Sequence, residues 1–268
     1  MDVFIVQPTC SPANDSLMEL LILVDAFRRA SAQRITLVVP YYGYSRQDKK
    51  VKPREPVTAR LVADLITTAG ASRVLAVDLH AGQIQGFFQI PLDHLYAGPL
   101  ISAHFAERGL TNHDTVVVSP DVGGVGRARG MAEILHSPIA IIAKRRPEPN
   151  KVEIIEIIGD VAGRTCIMVD DMIDTGGSVT SGALALMQRG ARRVLACCTH
   201  PVLSANAVDN IERSAIEELV VTDTIPISKE KSARSTKITV LSVAPLLANA
   251  ICRIHRDDSV SEMFDSFW

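Results

Sequence analysis

A two-domain α/β fold, each domain a mainly parallel sheet flanked by helices, is what the sequence predicts. Three observations lead there. The chain has 268 residues, enough for about two domains of ordinary size. Apolar residues make up 47% and charged residues 22%, the balance of a chain that buries a sizeable core rather than a disordered one. Short apolar runs alternate with helix-period segments almost from end to end, the pattern of consecutive strand–helix–strand units.

Residues 3–6 read as the first strand. Asn14, Asp15 and Ser16 offer caps for a helix over about 17–30, with Leu17, Leu20, Leu21, Val24 and Phe27 on one stripe. A strand over 35–39 ends at Pro40, a helix over 58–69 is closed by Gly70, and a strand follows over 73–79. After a looser stretch over 82–98 the alternation resumes. Helices are expected over 99–108, 125–135, 178–189 and 245–255. Strands are expected over 115–119, 139–143, 152–158, 165–169, 194–199, 219–221 and 238–243, with one more helix between the strands at 199 and 219. The domains implied are 1–95, 96–245, and a C-terminal helix and tail over 246–268.

Composition excludes some functions. Lys and Arg number 28 against 30 Asp and Glu, a formal net charge of −2, so no global basic field invites nucleic acid. The five cysteines, Cys10, Cys166, Cys197, Cys198 and Cys252, are odd in number and fit no zinc or disulfide spacing. They read as buried free thiols in a reducing compartment. Met1 is followed at once by Asp2 without the pattern of a signal peptide, and no apolar run approaches a membrane span. A soluble cytoplasmic protein with no membrane partner is expected.

The most informative segment is CIMVDDMIDTGGS at 166–178. A buried strand delivers Asp170 and Asp171 to its carboxyl end, where ligands of open α/β sheets bind. Asp174, Thr175, Gly176, Gly177 and Ser178 follow as a loop running into a helix. Glycines let the backbone turn its N–H groups inward, and the helix N-terminus adds donors and a favourable dipole. The product is a cradle for one phosphate monoester. Asp170 and Asp171 repel a phosphate but can accept hydrogen bonds from sugar hydroxyls or hold Mg2+. The bland alternative is a capped helix with Asp and Gly as turn residues.

This segment resembles the phosphoribosyl-pyrophosphate loop of phosphoribosyltransferase-type folds. PYYGYSRQDKK at 40–50, DLHAGQIQGFF at 78–88, VSPDVGG at 118–124, KRR at 144–146 and SVSEMF at 259–264 extend the resemblance to the ribose-phosphate pyrophosphokinases over nearly the whole chain. The resemblance implies two phosphoribosyltransferase-type domains with the active site at their junction. The implied reaction moves the β,γ-diphosphoryl group of Mg-ATP to the 1-hydroxyl of ribose 5-phosphate and releases AMP.

By the same resemblance, Asp174, Thr175, Gly176, Gly177 and Ser178 hold the 5-phosphate, with Ser178 where the family usually has Thr. Asp170 and Asp171 hold the ribose hydroxyls, with or without a second Mg2+. Arg46, Gln47 and Asp48 lie on the ATP side, His80 and Asp121 are ligands of the Mg2+ that accompanies ATP, and Lys144 and Arg146 are catalytic cations on a flap. A homo-oligomer is implied, commonly a hexamer built from dimers. Read from residue types alone, the same positions are a solvated loop, a structural histidine and a basic turn. Three departures stand out. The chain starts well inside the family's first domain, so an N-terminal segment that reaches adenine is expected to be missing. Pro201 stands where the family commonly has Gly. Val51 replaces an acid of close relatives. Besides an active synthetase, a non-catalytic subunit that regulates one and a nucleobase phosphoribosyltransferase sharing only the phosphate loop remain open.

Overall fold

Branched apolar runs become strands in both parts of the chain. The computed structural model, which describes residues 1–145 and 154–263, sorts them into two sheets. Residues 1–96 group with the described residues from 244 onward, and the described residues of 97–243 form a second unit.

The first unit runs β1 (Asp2–Val6), α1 (Ala13–Arg29), β2 (Arg34–Val39), α2 (Thr58–Ala69), β3 (Arg73–Val77) and β4 (Leu92–Leu95). Its strands lie in the order β1-β2-β3-β4, every pair parallel. Leu20 and Val24 of α1 and Val62 and Ile66 of α2 pack with Leu37, Val39, Val74 and Ala76 in one apolar core. Gly70 closes α2 at φ 109°, left-handed backbone that a side chain would strain.

Three differences from expectation have identifiable causes. Helix α1 begins at Ala13, with Pro12 at its cap position and no side-chain cap bond. Asn14, Asp15 and Ser16 are therefore inside its first turn, where the Ser16 hydroxyl donates to the Cys10 carbonyl at 3.1 Å. The buried stripe is narrower than expected, since Phe27 is 37% exposed. Strand β4 went unpredicted because Asp93 and His94 sit in it. Both are satisfied by tertiary partners: Arg73 Nη2 donates to Asp93 Oδ1 at 2.8 Å, and the Leu79 N–H donates to His94 Nε2 at 2.8 Å.

Gly43 is a close-approach position. A Cβ there would lie 2.3 Å from the Thr9 carbonyl oxygen, and the Gly43 N–H already donates to Thr9 Oγ1 at 2.6 Å. Gly43→Ala is expected to cost roughly 1–3 kcal/mol by forcing two backbone segments apart. Urea denaturation measures this, and an unchanged midpoint would contradict the crowding.

The second unit runs α3 (Gly98–Glu107), β5 (Thr115–Ser119), α4 (Val125–Leu135), β6 (Ile139–Arg145), β7 (Ile154–Ile158), β8 (Thr165–Ile173), α5 (Gly177–Gln188), β9 (Arg193–Pro201), α6 (Ala207–Glu212), β10 (Ile216–Thr222), α7 (Lys229–Ala233) and β11 (Ile238–Leu241). The strand order among the described residues is β11-β10-β9-β8-β5-β6-β7, with β7 antiparallel to β6 and the other pairs parallel. The order reverses between β5 and β8, so the crevice beyond their carboxyl ends is the natural ligand position. Strand β8 was expected to end at Val169 but continues to Ile173. It does so because β9 also runs on, pairing Asp170 with Cys198 and Ile173 with Pro201. Pro201 is tolerated as the last residue of β9, and the Leu203 N–H donates to the Ile173 carbonyl at 2.9 Å just beyond it.

Helix α8 (Ala244–His255) groups with the first unit. His255 Nδ1 lies 3.1 Å from Asp2 Oδ2, and Arg34 pairs with both Asp2 and Asp257. The cysteines are free, but only Cys166, Cys197 and Cys198 are buried; Cys10 is half-buried and Cys252 exposed. Burial raises the buried thiols' pKa, which disfavours the reactive thiolate. No helix among the described residues is long and apolar enough to cross a membrane.

Candidate functional site

The loop expected to cradle a phosphate is a short turn between β8 and α5. Asp174 is half-buried, Thr175 exposed, Gly176 buried, and Gly177 and Ser178 exposed at the first residues of the helix. Gly176 caps α5 at φ 77°, ψ −10°, a conformation that glycine takes without strain. A Cβ on it would lie 3.4 Å from the Ala207 carbonyl oxygen, so the turn is backed closely by the start of α6. Its carbonyl accepts the first helical bond, from the Thr180 N–H at 3.0 Å. The N–H groups of the first helical turn have no acceptor within their own helix and lie where an anion profits from the helix dipole.

Asp170 and Asp171 stand on the extended end of β8, Asp171 buried and Asp170 partly exposed. One guanidinium spans the pair: Arg127 Nη1 is 3.4 Å from Asp170 Oδ1, and Nη2 is 3.8 Å from Asp171 Oδ1. Arg127 lies in the first turns of α4, directly after the turn that carries Asp121. Asp121 is exposed, and its Oδ1 accepts the Gly124 N–H at 2.8 Å. A Cβ on Gly124 would lie 2.9 Å from Ser119 Oγ, so a glycine keeps this turn tight. The neighbouring ends of β5 and β8 thus bring Asp121, Arg127, Asp170 and Asp171 to one end of the sheet. Sequence reasoning missed Arg127, although it lies three residues beyond the motif that ends at Gly124.

Burial raises the Asp170 carboxyl above its ordinary pKa of 3.8; adjacent Asp171 raises it further, while Arg127 opposes the rise. The folded state therefore keeps a proton that the unfolded chain releases. Stability is greatest at low pH in this respect, falls as pH rises above 3.8, and levels off once Asp170 is ionised in both states. Asp171→Asn removes the second cause, so the slope of Tm against pH over this window should become shallower. An unchanged slope would contradict this origin.

In the first unit, Arg46 and Gln47 are exposed and Asp48 is buried in the turn between β2 and α2. The Gln47 N–H donates to the Tyr44 carbonyl at 2.9 Å, and the Gln47 carbonyl accepts from the Ala59 N–H at 3.2 Å. Asp48 Oδ2 accepts from Gln83 Nε2 at 2.5 Å. His80 is exposed in the turn after β3, three residues before Gln83. The Gln83–Asp48 bond therefore ties the expected ATP loop to the segment bearing the expected metal ligand. Lys144 lies on β6 with its backbone in register with Ile155 of β7. Arg146 lies outside the described residues.

Comparison with known proteins covers both ends of the chain. The description of the N-terminal domain of ribose phosphate pyrophosphokinase matches residues 1–70, and that of the phosphoribosyl synthetase-associated domain matches residues 143–265. A ribose-phosphate pyrophosphokinase of Clostridium tetani is 59% identical over 266 residues, covering 99% of this chain and 82% of the relative. One of Oceanobacillus iheyensis is 58% identical over 264 residues, covering 98% and 82%. The crystal structure of phosphoribosylpyrophosphate synthetase from Mycobacterium smegmatis matches with a TM-score of 0.89 at 46% identity, covering 96% of this chain and 83% of that one.

Proposed function

The chain belongs to the ribose-phosphate pyrophosphokinase family, diphosphotransferases that move a diphosphoryl group from ATP to ribose 5-phosphate and release AMP, and we propose how its residues divide that work. The loop Asp174–Ser178 takes the 5-phosphate through main-chain amides, with the Thr175 and Ser178 hydroxyls as further donors. Asp170 and Asp171 accept hydrogen bonds from the ribose hydroxyls. Arg127 holds both carboxylates at hydrogen-bond or ion-pair distance and offsets their mutual repulsion. Arg46, Gln47 and Asp48 serve the ATP side, where an arginine fork suits phosphate oxygens. Lys144 and Arg146 supply positive charge to the transferring diphosphoryl group.

His80 and Asp121 are proposed to hold Mg2+ with ATP. Each side chain is exposed in a turn that follows a strand, and one Asp121 oxygen bonds the Gly124 N–H, leaving the second for a cation. Mg2+ takes few protein ligands and keeps phosphate and water oxygens for the rest. When bound it would neutralise phosphate charge. Phosphoryl transfer needs little covalent chemistry from protein, so positioning and charge carry the rate.

The observation that carries this reading is the phosphate turn at residues 174–178 placed beside a carboxylate pair on the same strand end. Incubation with Mg-ATP and ribose 5-phosphate should yield AMP and phosphoribosyl pyrophosphate. A folded chain that yields no AMP would be a non-catalytic relative; pyrophosphate released from phosphoribosyl pyrophosphate and a base would make it a nucleobase transferase. We also propose a homo-oligomer, by resemblance a hexamer built from dimers. Exposed Met18 and Ile22 on α1 and Leu61 and Leu65 on α2 are apolar surface that a second copy would cover. Its five free thiols fit a reducing cytoplasm.

A further inference from the structure

We propose that Ser204 is a positioning residue for ribose 5-phosphate, clamping Asp174 so that the main-chain amides after it keep their anion-binding shape. The inference rests on the reading that residues 174–178 take the 5-phosphate, and it assigns a part to a segment outside that loop. A carboxylate inside a phosphate cradle poses an electrostatic problem: facing the anion, it would repel it. The structure resolves this by occupying the carboxylate elsewhere. Ser204 Oγ donates to Asp174 Oδ1 at 2.5 Å. The Ser204 N–H donates to the Asp174 carbonyl at 3.0 Å, and the Leu203 N–H to the Ile173 carbonyl at 2.9 Å. Side chain and backbone of one short segment thus grip the last residue of β8 and the first residue of the loop.

The clamp is itself held. Lys231 Nζ donates to the Leu203 carbonyl at 2.9 Å, and Asn210 Nδ2 donates to the Thr175 carbonyl at 3.2 Å. Leu203 and Ala205 flank Ser204 at φ 45° and 49°, left-handed backbone that non-glycine residues adopt at a cost. That cost is sustained where surrounding bonds fix the turn, and these five bonds converge on residues 173–175 and 203. The hydroxyl of Ser204 therefore does more than decorate a surface turn. It neutralises part of the Asp174 field and leaves the N–H groups of Thr175, Gly176, Gly177 and Ser178 to the ligand.

Calorimetric titration and steady-state kinetics test the clamp on the intact chain. Ser204→Ala keeps the backbone bonds, and folding is checked by thermal melting. It should weaken ribose 5-phosphate binding and raise its KM about tenfold, the scale of one hydrogen bond to a charged group. KM for ATP should stay within about twofold. Ser204→Thr, which keeps the hydroxyl, should recover most of the loss. In an Asp174→Asn background the effect of Ser204→Ala should shrink to under about threefold, because no carboxylate charge is left for the hydroxyl to occupy.

Gly177→Asp, which places a charge in the cradle itself, separates the two ideas. If it leaves ribose 5-phosphate binding unchanged, the loop is not the phosphate site and the clamp falls with it. If Gly177→Asp abolishes binding while Ser204→Ala has no effect, or raises both KM values alike, the site stands and the clamp is overturned. Effects of Ser204→Ala and Asp174→Asn that multiply independently would also overturn it.

Discussion

Lys144→Ala should lower kcat for AMP formation by about 10²–10³-fold, the scale of losing one group aimed at developing charge, while ribose 5-phosphate still binds within about twofold of the wild-type affinity. The diphosphoryl group in transfer spreads negative charge over its oxygens, and a fixed cation stabilises that state more than the bound substrates. The backbone of Lys144 is anchored by the β6–β7 ladder, one residue before β6 ends at Arg145. Single-turnover AMP formation and calorimetry with ribose 5-phosphate separate the two effects. A binding loss as large as the turnover loss would show that Lys144 acts on the ground state instead.

Gly177→Asp should abolish ribose 5-phosphate binding without harming the fold. Gly177 is exposed, and the nearest heavy atom to a Cβ there is Thr175 Oγ1 at 3.9 Å, so a side chain fits. An acid at the first helical position favours the helix dipole, so Tm should stay level or rise. A phosphate in the cradle, however, would face the new carboxylate at close range. Two like charges about 4 Å apart at an effective dielectric of about 20 repel by roughly 4 kcal/mol, a loss of about 10²–10³-fold in affinity. Gly177→Ala adds bulk without charge and should cost far less. Equal losses for alanine and aspartate would assign the effect to shape and not to charge.

The parallel sheets were legible because strands covered on both faces are continuous apolar runs, as in Val116–Val118 and Val194–Cys198, all buried. Glycine punctuation was equally readable: Gly70 and Gly190 both take left-handed φ just beyond α2 and α5. The turn over 174–178 was legible as a glycine turn into a helix because its conformation is written in adjacent residues. Features that depend on partners distant in sequence were not. Strand β4 is polar at Asp93, which its partner Arg73 satisfies from β3. The last four residues of β8 look like a loop until β9 is seen alongside them. Arg127 and Ser204 act on β8 and its loop from other elements, and no local spacing announces a contact across 43 or 30 residues. The antiparallel turn of β7 against β6 carries no signal in its apolar pattern. The ATP-side, metal and flap roles came from resemblance, since exposed Arg46, His80 and Asp121 have no local pattern that distinguishes a ligand from a solvated turn.

Backbone amide resonances followed by NMR during titration test the phosphate turn most directly. Ribose 5-phosphate, and more weakly inorganic phosphate, should shift the amides of Gly176, Gly177 and Ser178, while ribose without phosphate leaves them in place. Saturable shifts confined to other amides, or the same response to ribose as to its phosphate, would contradict the assignment.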